Sequence, residues 1–497
     1  MRDRLVDTGE EFMNNKWLTQ LSGAELSRLI RAKELSPVEL VQGYLDRIGS
    51  FDSVLNGYIT ICDEYALKQA KRLENEIAKG KRAGPLYGLP LAVKDQFDTV
   101  GIRTTAGSSI LANHIPTKDA TLISRAKAAG TILIGKLNMT EFAAGQGDPF
   151  KHGDPARNPW DPKRYPGSSS TGSGIAIAAS LCAIALGEDT GGSIRGPASF
   201  CGIVGLRPTW GLFSRAGLWP ISWSMDAAGP MTRTVEDAAL LTTALSGHDP
   251  RDPQTSRRPS IDYTKNLKHG ITGLRIGLVK EFFAPNYINP EVRQACLLAC
   301  EELKTLGANV EEVSFPLGLQ TGPIMDAIAI NDAGYLHRRW LTSHPQHYGR
   351  NLRRRFLSSG LLPAHLRQKA MRMRALLRRD WLNLFQQFDI ILTPTAATVA
   401  PPIFYESPVK TMKEAIQRFT GRPGTTPIAS LSGTPALSVP CGFDSKGLPI
   451  GLQIMANSFR EDLVFQVGHA YEQVTNWHKK RPALDNVLNK KQDSLIG

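Results

Sequence analysis

Chemistry in this sequence is concentrated in one stretch, PGSSSTGSGIAIAASLCAIALGEDTGGSIRGPASFCG, residues 166–202, where hydroxyls, glycines and charges crowd around an apolar run. A flexible Gly/Ser linker would not enclose IAIAASLCAIAL, so the run predicts a helix buried against a sheet with a Ser/Gly cluster at each end. The upstream cluster then sits at a helix N-terminus, where free amides and the macrodipole favour negative charge. The downstream cluster packs Asp189, Thr190, Gly191, Gly192, Ser193 and Arg195 together, and its glycines let backbone amides approach a ligand as an oxyanion hole requires. A serine nucleophile needs a base, and no histidine accompanies these serines. Lys94, at the end of the strand-like GLPLAVKD, is a candidate: burial disfavours its charge, and a neutral lysine can accept a proton. The same lysine could equally serve as an ion-pair partner of Asp95 or another carboxylate.

Other chemistries fail on spacing. GTILIGKL begins like a phosphate loop, but Leu137 stands where Ser or Thr must hold magnesium. Neither G-x-S-x-G nor H-E-x-x-H occurs. The S-x-x-K match at Ser124–Lys127 lacks the companion motifs of penicillin-binding enzymes, and His344 and His347 form an isolated pair in a basic segment. Cys296 and Cys300 share a helix face without further ligands at metal spacing. No metal and no cofactor is expected, and the six sparse cysteines read as reduced core residues.

The elements that must position these groups alternate along the chain. GLPLAVKD and TILIGK read as buried strands with DATLISRAKAAG as the helix between them, and LRIGLV, NPEVRQACLLACEELKTLG and ANVEEVSF repeat the pattern. LSGAELSRLIRAKELSPVELVQGYLDRI reads as two helices, the second capped by Ser36 with Pro37 following. FDIILTPT, PALSVPCGF and GLPIGLQIMA are strands, and REDLVFQVGHAYEQVTNW is a closing helix. The expectation is an α/β fold: one large domain with a central mixed β-sheet layered between helices, spanning residues 17–485. An extension at 1–16, a helical insertion at about 320–425 and a tail at 486–497 complete it. With 497 residues and 41% hydrophobic content the chain can bury a large core. It has no apolar run of membrane-spanning length and no signal-like N-terminus, so a cytoplasmic protein is expected. The net charge of +13 is uneven: residues 338–379 hold twelve Lys or Arg and no acid. Lacking an aromatic-interleaved nucleic-acid motif, this segment reads as a solvated helical face, with no nucleic-acid partner expected.

GLPLAVKD, PGSSSTGSG, LGEDTGGSIRGPASFCGIVGLRPT and GPMTRTVEDAALL together resemble the amidase signature family, with supporting matches from ELSPVELVQGYLDRI to HAYEQVTNWHKKRP. The resemblance implies a Ser–Ser–Lys triad and no cofactor. Ser193 is the expected nucleophile, Ser169 the cis-peptide serine that relays its proton, and Lys94 the terminal base. Thr190, Gly191, Gly192 and Ser193 would donate backbone amides to the oxyanion, and Ser170, Asp189 and Arg195 would orient the relay. Ser168 and Thr171 stand where the family's commonest pattern has glycines, which leaves the loop geometry there less constrained by the resemblance. The pocket should draw on the insertion, with Phe142, Gln146, Trp219, Ile328 and Tyr335 as candidates. The expected reaction is hydrolysis of a carboxylic amide, anilide, carbamate or ester through an acyl-enzyme, on a small-molecule substrate, with homo-oligomerisation left open. The alternative is the glutaminase-type subunit of a glutamine-dependent tRNA amidotransferase. The stand-alone reading is preferred because SMDAAGP puts Ala227 after Asp226, where those subunits usually carry Gln.

Overall fold

A computed structural model describes residues 15–81, 83–144, 155–403, 411 and 424–485. Helix α1 (Gly23–Arg31) opens with a capping box in which Ser22 and Glu25 satisfy each other's backbone amides. In α2 (Pro37–Leu55), Ser36 accepts from the amides of Val38 and Glu39 and Pro37 takes the first helical position, as its sequence predicts. β1 (Tyr58–Ile61) and α3 (Asp63–Ala78) follow. β2 (Pro90–Lys94), α4 (Thr121–Ala128) and β3 (Ile132–Leu137) form the expected βαβ unit with parallel strands. Next come α5 (Thr171–Ala178), β4 (Ile184–Asp189), α6 (Arg195–Cys201), β5 (Val204–Arg207), β6 (Ala227–Thr232) and α7 (Val235–Leu245). β7 (Arg275–Val279), α8 (Pro290–Thr305) and β8 (Asn309–Val313) make the second parallel unit.

Three helices, α9 (Thr321–Ser343), α10 (Arg350–Ser359) and α11 (Ala364–Leu384), precede β9 (Ile390–Pro394). The chain closes with α12 (Pro427–Ser432), β10 (Ala436–Phe443), β11 (Pro449–Ala456) and α13 (Glu461–Val474). The strands form one mixed sheet of eleven in the order β1-β3-β2-β4-β6-β5-β10-β11-β9-β7-β8. The three insertion helices therefore end before β9, which joins the sheet within the range expected to be helical. Their arginines do more than face water: Arg374 donates to the Leu431 and Ser224 carbonyls, Arg378 to the Ser432 carbonyl, and Arg367 pairs with Asp332. All six cysteines are buried thiols.

The apolar run between the two Ser/Gly clusters departs from its expected helix. It supplies only the second half of α5, then turns at Ser180, whose φ is 56°, and continues as β4. β4 lies between β2 and β6 and is buried along its whole length. A strand buried on both faces is apolar at successive positions, which periodicity alone does not separate from a buried helix. The second cluster thus leaves the end of a central strand, beside Lys94 at the end of the parallel neighbour β2.

Close approach dictates one glycine here. Gly172, in the first turn of α5, donates to the Asn138 carbonyl at 2.7 Å while the Asn138 amide donates to Gly57. A methyl at Gly172 would overlap both backbones. We expect Gly172→Ala to lower the thermal midpoint and reduce activity together, because α5 must move to admit it; thermal unfolding and rate measurements on the same preparation check this.

Candidate active site

The sheet register places the lysine. Val93 of β2 pairs with Leu186 of β4, which brings the fully buried Lys94 beside the carboxyl end of β4. Its Nζ donates to Ser169 Oγ at 2.8 Å, to Glu188 Oε2 at 3.0 Å and to the Glu188 carbonyl at 3.3 Å. Burial lowers the proton affinity of Lys94, with Glu188 pulling in the opposite direction. Asp95 takes no part: its carboxylate faces Lys136 of β3 at 3.3 Å. The ion-pair partner of Lys94 is Glu188, which sequence reasoning passed over because the pairing crosses strands.

Ser169 precedes α5 and follows a cis peptide bond from Ser168. Ser170 stitches this turn to β4: its Oγ donates to the Glu188 carbonyl at 3.0 Å and accepts from the Glu188 amide at 3.2 Å. The Ser170 amide donates to the Ser193 carbonyl at 3.1 Å, tying the two serine clusters together. Thr171 turns its hydroxyl to the Gly167 carbonyl at 3.0 Å, so its departure from glycine is absorbed by the turn, whereas Ser168 lines the cavity.

The loop after β4 is fastened from beneath. Asp189 pairs with Arg195 through two bonds of 2.9 Å and accepts from the amides of Gly192 at 2.8 Å and Ile194 at 3.2 Å. Arg207 donates to the Asp189 carbonyl, and Arg195 reaches on to the Thr426 carbonyl and Gln453 Oε1, each at 2.7 Å. Burial pushes the Asp189 carboxyl upward, but Arg195 and Arg207 outweigh it and hold the group well below the usual carboxylate range. Because Asp189 engages the Gly192 amide, that amide is turned away from the cavity's prospective ligand, unlike the expectation that it would join an oxyanion hole. Gly191 and Gly192 are required by space as well: a methyl on either would overlap Met325 or Thr426, and Gly192 has a φ of 127°.

Ser193 opens onto a cavity of about 510 Å³, whose wall includes Ser168, Thr190, Gly191, Gly192, Ala144, Met325 and Arg355. Of the pocket candidates, none of the described ones lines it, and Gln146 lies outside the described residues. Phe142 is buried behind the wall, stacked on Trp340. Trp219 donates its indole N–H to Asp98 at 3.1 Å. On α9 the cavity face carries Met325, Ala329 and Ala333, one turn apart; Ile328 falls on the core side and Tyr335 on the exposed side. Arg355 was missed: it donates to the Ala144 carbonyl at 2.7 Å and to Asp326 at 3.1 Å, which fixes its guanidinium at the cavity. Inside a run of twelve cations, its position was the only distinguishing feature, and that is a tertiary property.

Known proteins resemble this chain along most of its length. The pattern of the Amidase family matches residues 39–465. The A subunit of glutamyl-tRNA(Gln) amidotransferase from Thermosynechococcus vestitus is 40% identical over 485 residues, covering 93% of this chain and 99% of that protein. The solved structure of a vestigial complex bearing on the origins of an s-triazine catabolic enzyme is 35% identical with a TM-score of 0.84, covering 91% of this chain and 98% of its own. The peptide amidase of Stenotrophomonas maltophilia is 32% identical with a TM-score of 0.80, covering 93% and 98%.

Removing Arg195 takes away the closer of the two arginines that face Asp189 and leaves Arg207 at 3.4 Å. Arg195→Ala is expected to cost about 3–5 kcal/mol of stability, read as a lower denaturation midpoint, because Asp189 would remain charged and buried.

Proposed function

The chain belongs to the amidase signature family, and we propose that it hydrolyses a carboxamide by acylating Ser193, with Ser169 relaying the proton to Lys94. One observation carries this reading: a fully buried lysine amine bonded to Ser169 at 2.8 Å, in the wall behind the cavity-lining Ser193. As Ser193 Oγ attacks the carbonyl carbon, its proton passes to Ser169 Oγ and the Ser169 proton passes to Lys94 Nζ. The carbonyl oxygen takes up the electron pair against the amides of Thr190, Gly191 and Ser193. When the C–N bond breaks, the proton returns along the same path to the leaving amine. Water then repeats the sequence on the acyl-enzyme and releases the acid.

Arg355 points to the substrate class. A guanidinium fixed at the cavity suits a carboxylate, and glutamine is a small carboxamide that carries one. Identity of 40% to an amidotransferase component along nearly its whole length supports the reading that the chain releases ammonia from glutamine for a partner in a tRNA-dependent amidotransferase. The second reading, a stand-alone amidase, is favoured by Ala227. This residue pairs with Asp189 across β4 and β6 and leaves a methyl where those subunits usually carry an amide side chain.

Hydrolysis of glutamine, aliphatic amides, anilides, carbamates and nitrophenyl esters by the purified chain, with and without candidate partner proteins, separates the two. Glutamine turnover that rises with the partners supports the amidotransferase role; turnover of uncharged amides by the chain alone supports the stand-alone enzyme. In either case Ser193→Ala and Lys94→Ala are expected to reduce kcat/KM by about 10²-fold or more. Arg355→Ala should raise KM for carboxylate-bearing amides about tenfold or more while leaving neutral esters little affected.

A further inference from the structure

The carboxylate that faces Lys94 is one end of a buried string. Glu188 Oε2 accepts from Lys94 at 3.0 Å, and Glu188 Oε1 lies 2.7 Å from Thr190 Oγ1. The same Thr190 Oγ1 lies 2.8 Å from Asp226 Oδ1. Asp226 in turn accepts from the amides of Ile221 at 2.8 Å and Ser222 at 3.0 Å, and Ser222 gives its hydroxyl to Asp332 at 2.7 Å. Lys94, Glu188 and Asp226 are all buried.

Counting protons constrains this string. Thr190 has one hydroxyl proton, yet it makes two oxygen–oxygen contacts of hydrogen-bond length to carboxyl groups. A proton on one of the two carboxyls lets both contacts be full hydrogen bonds, with Thr190 donating to one group and accepting from the other. Glu188 lies 3.0 Å from the Lys94 amine, whereas among the described residues no Lys or Arg lies within ion-pair distance of Asp226. Burial and the Glu188 charge push the Asp226 carboxyl up to about 7. The other charges nearby are already matched: Asp189 by Arg195 and Arg207, and Asp332 by Arg367.

We propose that Glu188 is a positioning residue for the lysine base, its single negative charge holding Lys94 against Ser169 and setting the pH at which the lysine gives up its proton, while a protonated Asp226 keeps the string at one charge. The inference rests on Lys94 being the base of the relay. Below the pH at which the amine becomes neutral, Lys94 cannot accept the Ser169 proton, so this ionisation forms the acidic limb of the rate profile. Taking away the Glu188 charge removes the largest influence opposing burial and leaves the weaker pull of Asp189, so the ammonium loses its proton at lower pH and the limb moves toward acid.

The test is the pH dependence of kcat/KM toward an amide turned over by the wild type, together with infrared spectroscopy of the protein at neutral pH. Glu188→Gln is expected to shift the acidic limb down by about one pH unit or more, and Asp226→Asn, which copies a neutral acid, by well under half of that. Burial also pushes the Glu472 carboxyl up to about 8, so the protonated-carboxyl carbonyl band is read as a difference: a component present in the wild type and in Glu188→Gln should be missing from Asp226→Asn, while the Glu472 contribution cancels. An unmoved limb in Glu188→Gln, an equal or larger shift in Asp226→Asn, or no such component in the wild-type minus Asp226→Asn difference would overturn the proposal. Lys94→Ala separates the two readings: full activity in that variant removes lysine as the base, whereas the infrared band reports the proton on Asp226 regardless of turnover.

Discussion

The site hangs on the burial of Asp189 between two arginines. A carboxylate withdrawn from water is costly unless its charge and lone pairs are met, and here Arg195, Arg207 and backbone amides of the following loop meet them together. The arrangement fixes more than the ion pair. By holding the Gly192 and Ile194 amides, Asp189 determines how the chain turns after β4, and so where Ser193 is presented to the cavity. Arg195 extends the same constraint to Thr426 and Gln453, so the loop is locked to the far half of the sheet as well. A loop pinned in this way can hold its amides aimed at a position where charge develops without reorganising during reaction.

Around this anchor the protein keeps two kinds of buried charge apart. Asp189 is surrounded by cations and stays ionised. Lys94, one strand away, has the opposite problem: its cation is disfavoured by burial, and Glu188 is the carboxylate in contact with it. A base has to be willing to exist in its neutral form, and dry surroundings supply that willingness. The hydroxyls of Ser169 and Thr190 lie on either side of the Lys94–Glu188 pair, so the ionisable groups are joined by hydrogen bonds to the turn before α5 and to the loop after β4.

The insertion helices supply a second layer of function. α9 offers small and flexible side chains to the cavity at one-turn spacing, and α10 adds Arg355. The many other arginines in this region are partly consumed by fastening α11 to α12 and to the loop before β6. A strongly basic segment is thus in part a structural joint, with Arg355 the cation it contributes to the cavity wall.

The sequence alone named the groups of the proposed site. Ser169, Ser193, Lys94, Asp189 and Arg195 stand in motifs whose residue types and spacing are tied to local backbone needs, such as the glycines flanking Ser193 and the apolar strand ending in Lys94. The two βαβ units, the terminal hairpin and the capped helices were legible for the same reason, since periodicity and caps are local. What the tertiary structure decided is everything that depends on neighbours across the sheet. The run after Ser173 becomes a helix and then a strand because a central slot between β2 and β6 is open to it. Lys94 meets Glu188 rather than Asp95 because of strand register. Arg355, and not Tyr335 or Ile328, reaches the cavity because of the rotation of α9 and the docking of α10. Pairing, register and helix rotation are set by packing between segments far apart in the chain, and no single stretch of sequence carries them.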